Sequence, residues 1–254
     1  MKILLVSGHR PGYNACKATG VNEGDLNIDL VKSLRTLLSP YAEVTTYPYE
    51  RDMYLDNKNG CLKVNLKDYR YIFEVHFNAG GGRGTSVQLH SAYKGGISVE
   101  QAIVRNVAAT GFKKRGNNGI VRRSDLLNMN TALKLGIDYA LIEVCFYDSA
   151  ADMALYRENK KAVSQAIARG IIEGFGLEAR HGESAADKEE NRSATVTGCS
   201  SLNFRRTPNG AILGTIKGGT TVKITGTGKD PDGDIWYKIE TGGLAGYVWP
   251  KYLR

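Results

Sequence analysis

The residue pattern of this 254-residue chain changes once, between residues 178 and 194, and that change constrains the fold more than any other feature. Before it, short apolar runs alternate with stretches in which apolar residues recur every three or four positions, which indicates strands alternating with helices. After it, short β-prone segments are separated by Gly, Pro, Asn and Asp. The sequence therefore predicts two domains of different class, residues 1–178 and 194–254, joined by a polar linker at residues 179–193.

The first domain is predicted to be α/β. Its predicted strands are Ile3–Val6, Val44–Tyr49, Tyr69–Val75, Thr85–Leu89 and Tyr139–Val144. One helix follows Asn22, another is opened by Ser149, and a capping box at Ser98–Gln101 starts a third that ends before Gly111. Strands that alternate with helices favour a mostly parallel, twisted sheet with helices on both faces.

The second domain is predicted to be a small all-β barrel. Its β segments are Thr195–Thr197, Leu202–Arg205, Ile212–Ile216, Val222–Thr225, Ile235–Ile239 and Gly246–Val248. Both tryptophans of the chain, Trp236 and Trp249, lie here. Aromatic side chains either fill a small barrel or stack on sugars and peptides. Trp236 lies within a strand and is predicted to belong to the core, so Trp249 and Tyr252 are the candidate ligand contacts.

Composition excludes several classes of protein. No apolar run approaches the roughly 20 residues of a membrane span. The first apolar run, Ile3–Val6, is shorter than the roughly 7–15 residues of a secretory signal. The four cysteines are scattered without a CxxC pair, so neither a thiolate zinc site nor a disulfide framework is predicted. We expect no membrane insertion and folding in a reducing cytoplasm. The sequence does not reveal the oligomeric state, and a monomer is the favoured expectation.

The net charge of +8 indicates an anionic partner. Nucleic acid, anionic membranes and anionic cell-wall polymers all carry the complementary charge. The Lys and Arg residues are spread over both predicted domains and form no concentrated tract, which disfavours a nucleic-acid-binding arm. Charge alone does not choose between the remaining anionic partners.

Two histidines and two glutamates stand where an α/β sheet delivers side chains to a site. His9 follows the first strand and His76 follows the strand that ends at Val75; ligands of open α/β sheets bind at the carboxyl ends of strands. Glu23 begins a helix, and Glu143 lies near the end of an apolar strand. Two imidazoles and one carboxylate form a common ligand set for catalytic zinc, and a further carboxylate supplies proton transfer. The alternative is that each histidine is a hydrogen-bonded loop residue.

Four segments resemble, in order, the motifs of the third family of N-acetylmuramoyl-L-alanine amidases, which are zinc enzymes. These segments are Ser7–Gly12, Gly20–Glu23, Glu74–Ala79 and Leu141–Asp148. The resemblance implies that His9, Glu23 and His76 bind Zn²⁺. It implies further that Glu143 is the catalytic carboxylate, and that Asn78 orders the loop after His76 near the substrate. The loop from Arg10 to Thr19 departs from the family's Gly-rich acidic pattern, so its substrate contacts are left unassigned.

Residues 194–254 resemble the bacterial SH3-like cell-wall-binding domains. The segments that carry this resemblance are Ser201–Gly210, Gly214–Gly219, Trp236–Ile239 and Gly246–Val248. Together the two resemblances imply a phage endolysin that stays in the host cytoplasm until lysis. It would then hydrolyse the amide between N-acetylmuramic acid and L-alanine of bacterial peptidoglycan. Two alternatives remain open: a catalytically inactive wall-binding protein, and a zinc peptidase that cuts the stem peptide.

Overall fold

The computed structural model describes residues 1–116, 118–179, 192–230 and 234–254. The chain divides into two compact units, Met1–Ala179 and Arg180–Arg254. Most of the predicted linker lies outside the described residues, and a strand of the second unit begins at Arg192, inside the range predicted for that linker. Among the described residues, no helix combines the length and the apolar character that crossing a bilayer demands.

The first unit combines strands and helices. Its strands are β1 (Lys2–Ser7), β2 (Ala15–Cys16), β3 (Val21–Asn22), β4 (Glu43–Thr46), β5 (Tyr71–Asn78), β6 (Ser86–His90), β7 (Ile120–Arg123) and β8 (Asp138–Phe146). Its helices are α1 (Glu23–Leu38), α2 (Met53–Lys58), α3 (Ser98–Ala108), α4 (Leu127–Lys134) and α5 (Ala150–Phe175), with a 3₁₀ turn at Leu66–Asp68. The sequence did not predict the β2–β3 hairpin, β7, α2 or α4.

Six of these strands form one sheet in the order β4-β1-β5-β8-β6-β7. The pairs from β4 to β8 are parallel, β8 and β6 are antiparallel, and β6 and β7 are again parallel. The mostly parallel α/β sheet predicted from the sequence is therefore confirmed. The chain reverses at β6 because the connection from β5 is shorter than the dozen or more residues that a parallel crossover needs.

Helices cover both faces of this sheet. On one face, α1, α3 and α5 enclose Phe73 and Val75 of β5 in the larger apolar core. On the other, α2 and α4 enclose Ile72 in a second core. Because alternate residues of a strand point to opposite faces, Glu74 and His76 share the face of Ile72. The candidate site residues of β5 therefore lie on the face covered by α2 and α4.

The predicted starts of two helices have different outcomes. Ser149 caps α5 as predicted, since its side chain accepts a hydrogen bond from the backbone N–H of Asp152. Ser98 was predicted to open a capping box, and this is wrong: it is the first residue of α3, and its hydroxyl lies 3.2 Å from the carbonyl oxygen of Gly174. Close packing of α3 on α5, where Gly170 and Gly174 leave no room for a Cβ, gives this hydroxyl a tertiary partner instead.

The second unit is all β. Its strands are β9 (Arg192–Thr195), β10 (Ser201–Arg205), β11 (Ile212–Lys217), β12 (Thr221–Lys229), β13 (Ile235–Thr241) and β14 (Leu244–Val248), with a 3₁₀ turn at Pro250–Tyr252. They pair antiparallel in the order β11-β10-β14-β13-β12-β9. The chain end joins this sheet, because Arg254 and Thr195 exchange backbone hydrogen bonds. Trp236 is 6% exposed, which confirms its predicted place in the core.

Candidate metal centre

The three predicted ligand residues come together at the carboxyl edge of the sheet. His9 follows β1, His76 lies near the end of β5, and Glu23 is the first residue of α1. One candidate ligand atom from each residue lies within 4.8 Å of the others. Among the described residues, this is the one group of three or more His, Cys, Asp or Glu side chains with that geometry.

The turn after β1 brings His9 beside His76. Gly8 donates its backbone N–H to the carbonyl of Val75, at 2.9 Å, and its carbonyl accepts from Nδ2 of Asn27, at 2.6 Å. A Cβ at position 8 would lie 2.2 Å from Cε1 of His76, so only glycine fits against that ring. His9 then adopts a φ of +65°, a region in which histidine is tolerated more often than most residues. The two imidazole rings end with their centroids 4.9 Å apart.

Glu23 is a buried carboxylate held by several donors. Its Oε1 lies 2.9 Å from Nδ1 of His76 and accepts from the backbone N–H of Phe77 at 3.2 Å. Its Oε2 accepts from Nδ2 of Asn14 at 2.9 Å and lies 3.3 Å from Nε2 of His9. Burial alone would raise the pKa of Glu23, but the hydrogen bonds with His76 and His9 outweigh it and hold that pKa well below its usual range.

Each imidazole has a second carboxylate near the ring nitrogen that does not face Glu23. Oε1 of Glu74 lies 3.0 Å from Nε2 of His76, and Oδ2 of Asp52 lies 3.7 Å from Nδ1 of His9. Glu74 is itself fixed, because its Oε2 accepts from Nδ2 of Asn128, at 2.9 Å, and from the Tyr139 hydroxyl, at 2.5 Å. Outer carboxylates of this kind orient metal-binding imidazoles.

Sequence reasoning missed both outer carboxylates. Glu74 carried a usable signal, since it stands two positions before His76 in the same strand and hence on the same face. Asp52 carried none, because it caps α2, a short helix that the sequence did not predict.

This donor set fits a divalent cation. Burial alone would lower the pKa of His9, but the neighbouring carboxylates of Asp52 and Glu23 raise it to about 9. The pKa of His76 is raised well above its usual value, against the effect of burial, by Glu23 and Glu74. Negative charge that favours protons on the imidazoles also favours a metal ion among them. Two imidazole nitrogens and a carboxylate oxygen are a ligand set that suits catalytic zinc.

Glu143 lies beside the cluster on the neighbouring strand. It is the register partner of His76 across the β5–β8 ladder. Its Oε1 accepts a hydrogen bond from Nε2 of Gln88 at 3.0 Å, whereas its buried Oε2 has no partner among the described residues. Burial raises the pKa of Glu143 to about 7. A carboxyl group with this pKa can accept and return a proton near neutral pH.

Asn78 is the last residue of β5, at the start of the loop that follows this strand. Its Oδ1 accepts from the backbone N–H of Ala79 at 2.9 Å, and its carbonyl accepts from that of Tyr147 at 2.8 Å. The contacts are those of a residue that orders the loop; its predicted contact with substrate stays a prediction.

Trp249 and Tyr252, the predicted wall contacts, line one recess of about 280 Å³ in the second unit. Trp236 and Arg205 also line it, and the rings of Trp249 and Trp236 meet edge to face with centroids 4.9 Å apart. Both predicted residues are partly exposed. The structure thus brings them together at one surface, and wall binding by them stays a prediction.

Two curated proteins resemble the chain over most of its length. The endolysin of Bacillus phage SPP1 is 26% identical over 207 residues, which cover 77% of this chain and 73% of the endolysin. The Staphylococcus aureus protein named "Probable autolysin PH" is 29% identical over 215 residues, 75% of this chain. The matched region spans only 42% of the latter protein.

Solved structures share the fold of the first unit. The N-acetylmuramyl-L-alanine amidase Ami1 of Mycobacterium smegmatis is 20% identical with a TM-score of 0.56, covering 69% of this chain and 97% of that one. The catalytic domain of the CD27L endolysin, which targets Clostridia difficile, is 22% identical with a TM-score of 0.55, covering 68% of this chain and 97% of that one.

Two sequence-family models match the chain, each over a different region. A bacterial SH3 domain model matches residues 200–254. The N-acetylmuramoyl-L-alanine amidase model matches residues 3–173, well over half of the chain, and its match includes the three clustered candidate ligand residues and Glu143. The chain belongs to the N-acetylmuramoyl-L-alanine amidase family and carries a C-terminal bacterial SH3 domain.

Proposed function

We propose that this chain is an endolysin that uses a zinc-activated water to hydrolyse the amide between N-acetylmuramic acid and L-alanine in bacterial peptidoglycan. The observation that carries the proposal is the cluster of His9, Glu23 and His76 beside Glu143, a buried carboxyl with a pKa of about 7. Family membership supports the choice of bond. Similarity to a phage endolysin supports the lytic role.

His9, Glu23 and His76 would hold the zinc ion. A zinc ion held there would supply Lewis-acid chemistry, which would make water a stronger nucleophile near neutral pH and polarise the carbonyl of the scissile amide. Glu74, hydrogen-bonded to Nε2 of His76, would orient that imidazole, and the carboxylate of Asp52 lies 3.7 Å from Nδ1 of His9, where it favours the same kind of orientation by its charge.

Glu143 carries the proton transfer in this proposal. Its Oε2, the oxygen without a partner among the described residues, accepts the proton of the attacking water. The same oxygen then gives that proton to the alanine nitrogen as the carbon–nitrogen bond breaks. Without it the leaving group would be an unstable amide anion. A pKa near 7 allows Glu143 to serve in turn as base and as acid at neutral pH.

The second unit is assigned to cell-wall binding. Its recess presents Trp249 and Tyr252, whose partly exposed rings suit stacking on sugars or peptides. The net charge of +8 suits the anionic polymers of a bacterial wall. A purely wall-binding protein with an inactive first unit is disfavoured, because the first unit keeps a candidate metal cluster of His9, Glu23 and His76 and the carboxyl group of Glu143.

The proposal is tested by measuring bound zinc and wall lysis together. We expect chelation to abolish lysis and added zinc to restore it.

Glu143→Gln should keep its zinc but lose roughly 10²–10⁴-fold in rate, the contribution typical of general acid–base groups. His76→Ala should lose zinc itself, because it removes a ligand. Glu158→Gln, the same chemical change at an exposed position of α5, is the matched control. Lysis by the metal-free protein, or a parental rate for Glu143→Gln, would contradict the proposal.

A further inference from the structure

We propose that Gln88 is a positioning residue: its hydrogen bond to Oε1 of Glu143 leaves Oε2 as the oxygen that accepts and donates the proton. Arg123 holds the Gln88 side chain in the orientation that this requires. The inference rests on the proposed function, in which Glu143 transfers protons. It concerns two residues that lie outside the four motifs of the sequence: Gln88 in β6 and Arg123 in the edge strand β7.

These residues form a chain of contacts that runs diagonally across one face of the sheet. Glu143 in β8 is the register partner of His76 in β5 on one side and of Ser86 in β6 on the other. Gln88 shares the face of Ser86, because it stands two positions further along the strand. Nη1 of Arg123 in β7 donates to Oε1 of Gln88 at 3.0 Å. The hydrogen bonds thus run from Glu143, the register partner of the candidate metal ligand His76, through Gln88 to a cation at the sheet edge.

The orientation of the Gln88 amide follows from its partners. A guanidinium has donors only, so the side-chain oxygen of Gln88 must face Arg123. The NH₂ group of Gln88 must then face Glu143, and it donates to Oε1 of that carboxyl at 3.0 Å. Gln88 is 1% exposed, so water has little access to replace either partner. The amide cannot flip without losing both hydrogen bonds.

Arg123 is fixed in turn by a carboxylate. Its Nε and Nη2 donate to the two carboxylate oxygens of Asp125, at 2.7 and 2.6 Å. A bidentate pair of this kind defines the plane of the guanidinium. The remaining nitrogen, Nη1, is the one that holds Gln88.

A fixed donor at Oε1 decides where Glu143 carries a proton. Oε1 must remain an acceptor in both protonation states, since the Gln88 NH₂ group offers it a hydrogen. A proton on Glu143 therefore sits on Oε2, the buried oxygen that has no partner among the described residues. Without Gln88 the carboxyl group is free to rotate and to hold its proton on either oxygen, so fewer encounters have the productive geometry.

The test compares variants of the full-length chain by zinc content, melting temperature, kcat and KM on a soluble muramoyl-peptide substrate. Gln88→Met keeps the length of the side chain but removes the donor. We expect kcat to fall about 10- to 100-fold with KM and zinc content unchanged, because only the placement of the proton is affected. A merely structural role would lower the melting temperature and leave kcat per folded, zinc-loaded molecule unchanged.

Arg123 supplies an independent arm in case Gln88→Met fails to fold. Arg123→Met should lower kcat in the same way but less, and Arg123→Lys, which keeps a donor, should restore most of it. Arg122→Met is the matched control: it removes the same charge from the neighbouring position, whose side chain donates to the carbonyls of His90 and Tyr93 instead. Its kcat should equal that of the parent.

The results separate this inference from the proposed function. If the parent is an active, zinc-dependent amidase but Gln88→Met and Arg123→Met both keep kcat within about twofold of it, the inference is overturned while the function stands. A loss that appears only in KM also overturns it. If the parent itself releases no stem peptide, the proposed function fails first.

Discussion

The burial that gives Glu143 its pKa also affects stability. In the folded chain this pKa is about 7, against a reference value of 4.5. Between these pH values the folded chain binds the proton more tightly than the unfolded chain does. The stability that this proton contributes is therefore fully present below about pH 4.5, and it is lost as pH rises through about 7. The proposed proton-transfer group should weaken the fold at neutral pH.

Glu143→Gln should therefore stabilise the metal-free protein at alkaline pH. The amide carries no charge, so the variant avoids burying a carboxylate and should melt at a higher temperature than the parent at about pH 8. At about pH 4.5 the two proteins should melt at similar temperatures. Thermal unfolding of chelated samples at both pH values measures the difference, and Glu158→Gln provides the exposed control. An equal difference at both pH values would contradict the raised pKa.

The sequence identified the residues of the cluster better than the residues that support them. His9, Glu23, His76 and Glu143 all lie in recognisable motifs, and the structure brings them together. Gln88 lies outside the motifs, and its role depends on which strand is the neighbour of β8. That adjacency is a property of the sheet order, which the alternation of strands and helices does not determine.

At the scale of elements, the site depends on how closely β1 approaches β5. The two strands are parallel neighbours, and Gly8 continues their pairing by donating to Val75. The ring of His76 occupies the space where a side chain at position 8 would lie. The geometry of the cluster is thus set by the contact between two strand ends.

Gly8→Ala should damage the metal site more than the fold. The added methyl group would overlap the imidazole of His76, so either the ring or the strand end must move. We expect zinc affinity to fall about 10- to 100-fold, as when the support of a metal ligand is lost. Gly96→Ala is the control, because a Cβ there meets no atom within 4 Å. Parental zinc affinity in Gly8→Ala, measured by competition with a chelator, would refute this account of the site.

The longest elements were predicted from the sequence, whereas several short ones were not. The strands β1, β5 and β8 are mostly apolar over six to nine residues, a pattern typical of buried parallel strands. Helices α2 and α4 are short and gain their stability from packing on the sheet, so their local pattern is weak. The capping-box error at Ser98 has the same origin, because a contact between α3 and α5 outweighed a local preference.

At the scale of the whole molecule, we expect each unit to keep its own activity when it is produced as a separate fragment. Each has its own apolar core, so we expect residues 1–179 and 192–254 to fold as separate fragments. The first fragment should bind zinc and cleave soluble substrate but lyse whole cells slowly. The second should sediment with cell walls without lysing them. Sedimentation and turbidity assays on both fragments measure this, and failure of the second fragment to bind walls would remove its proposed role.

The central claim is the identity of the bond that is cut. Mass spectrometry of purified peptidoglycan after digestion by the full-length protein tests it directly. We expect intact stem peptides that begin with a free L-alanine amino group, together with glycan strands that have lost their peptides. These products should disappear when zinc is removed and in Glu143→Gln. Fragments cut within the stem peptide, or new reducing sugar ends, would show that the chain breaks a different bond and would contradict the account.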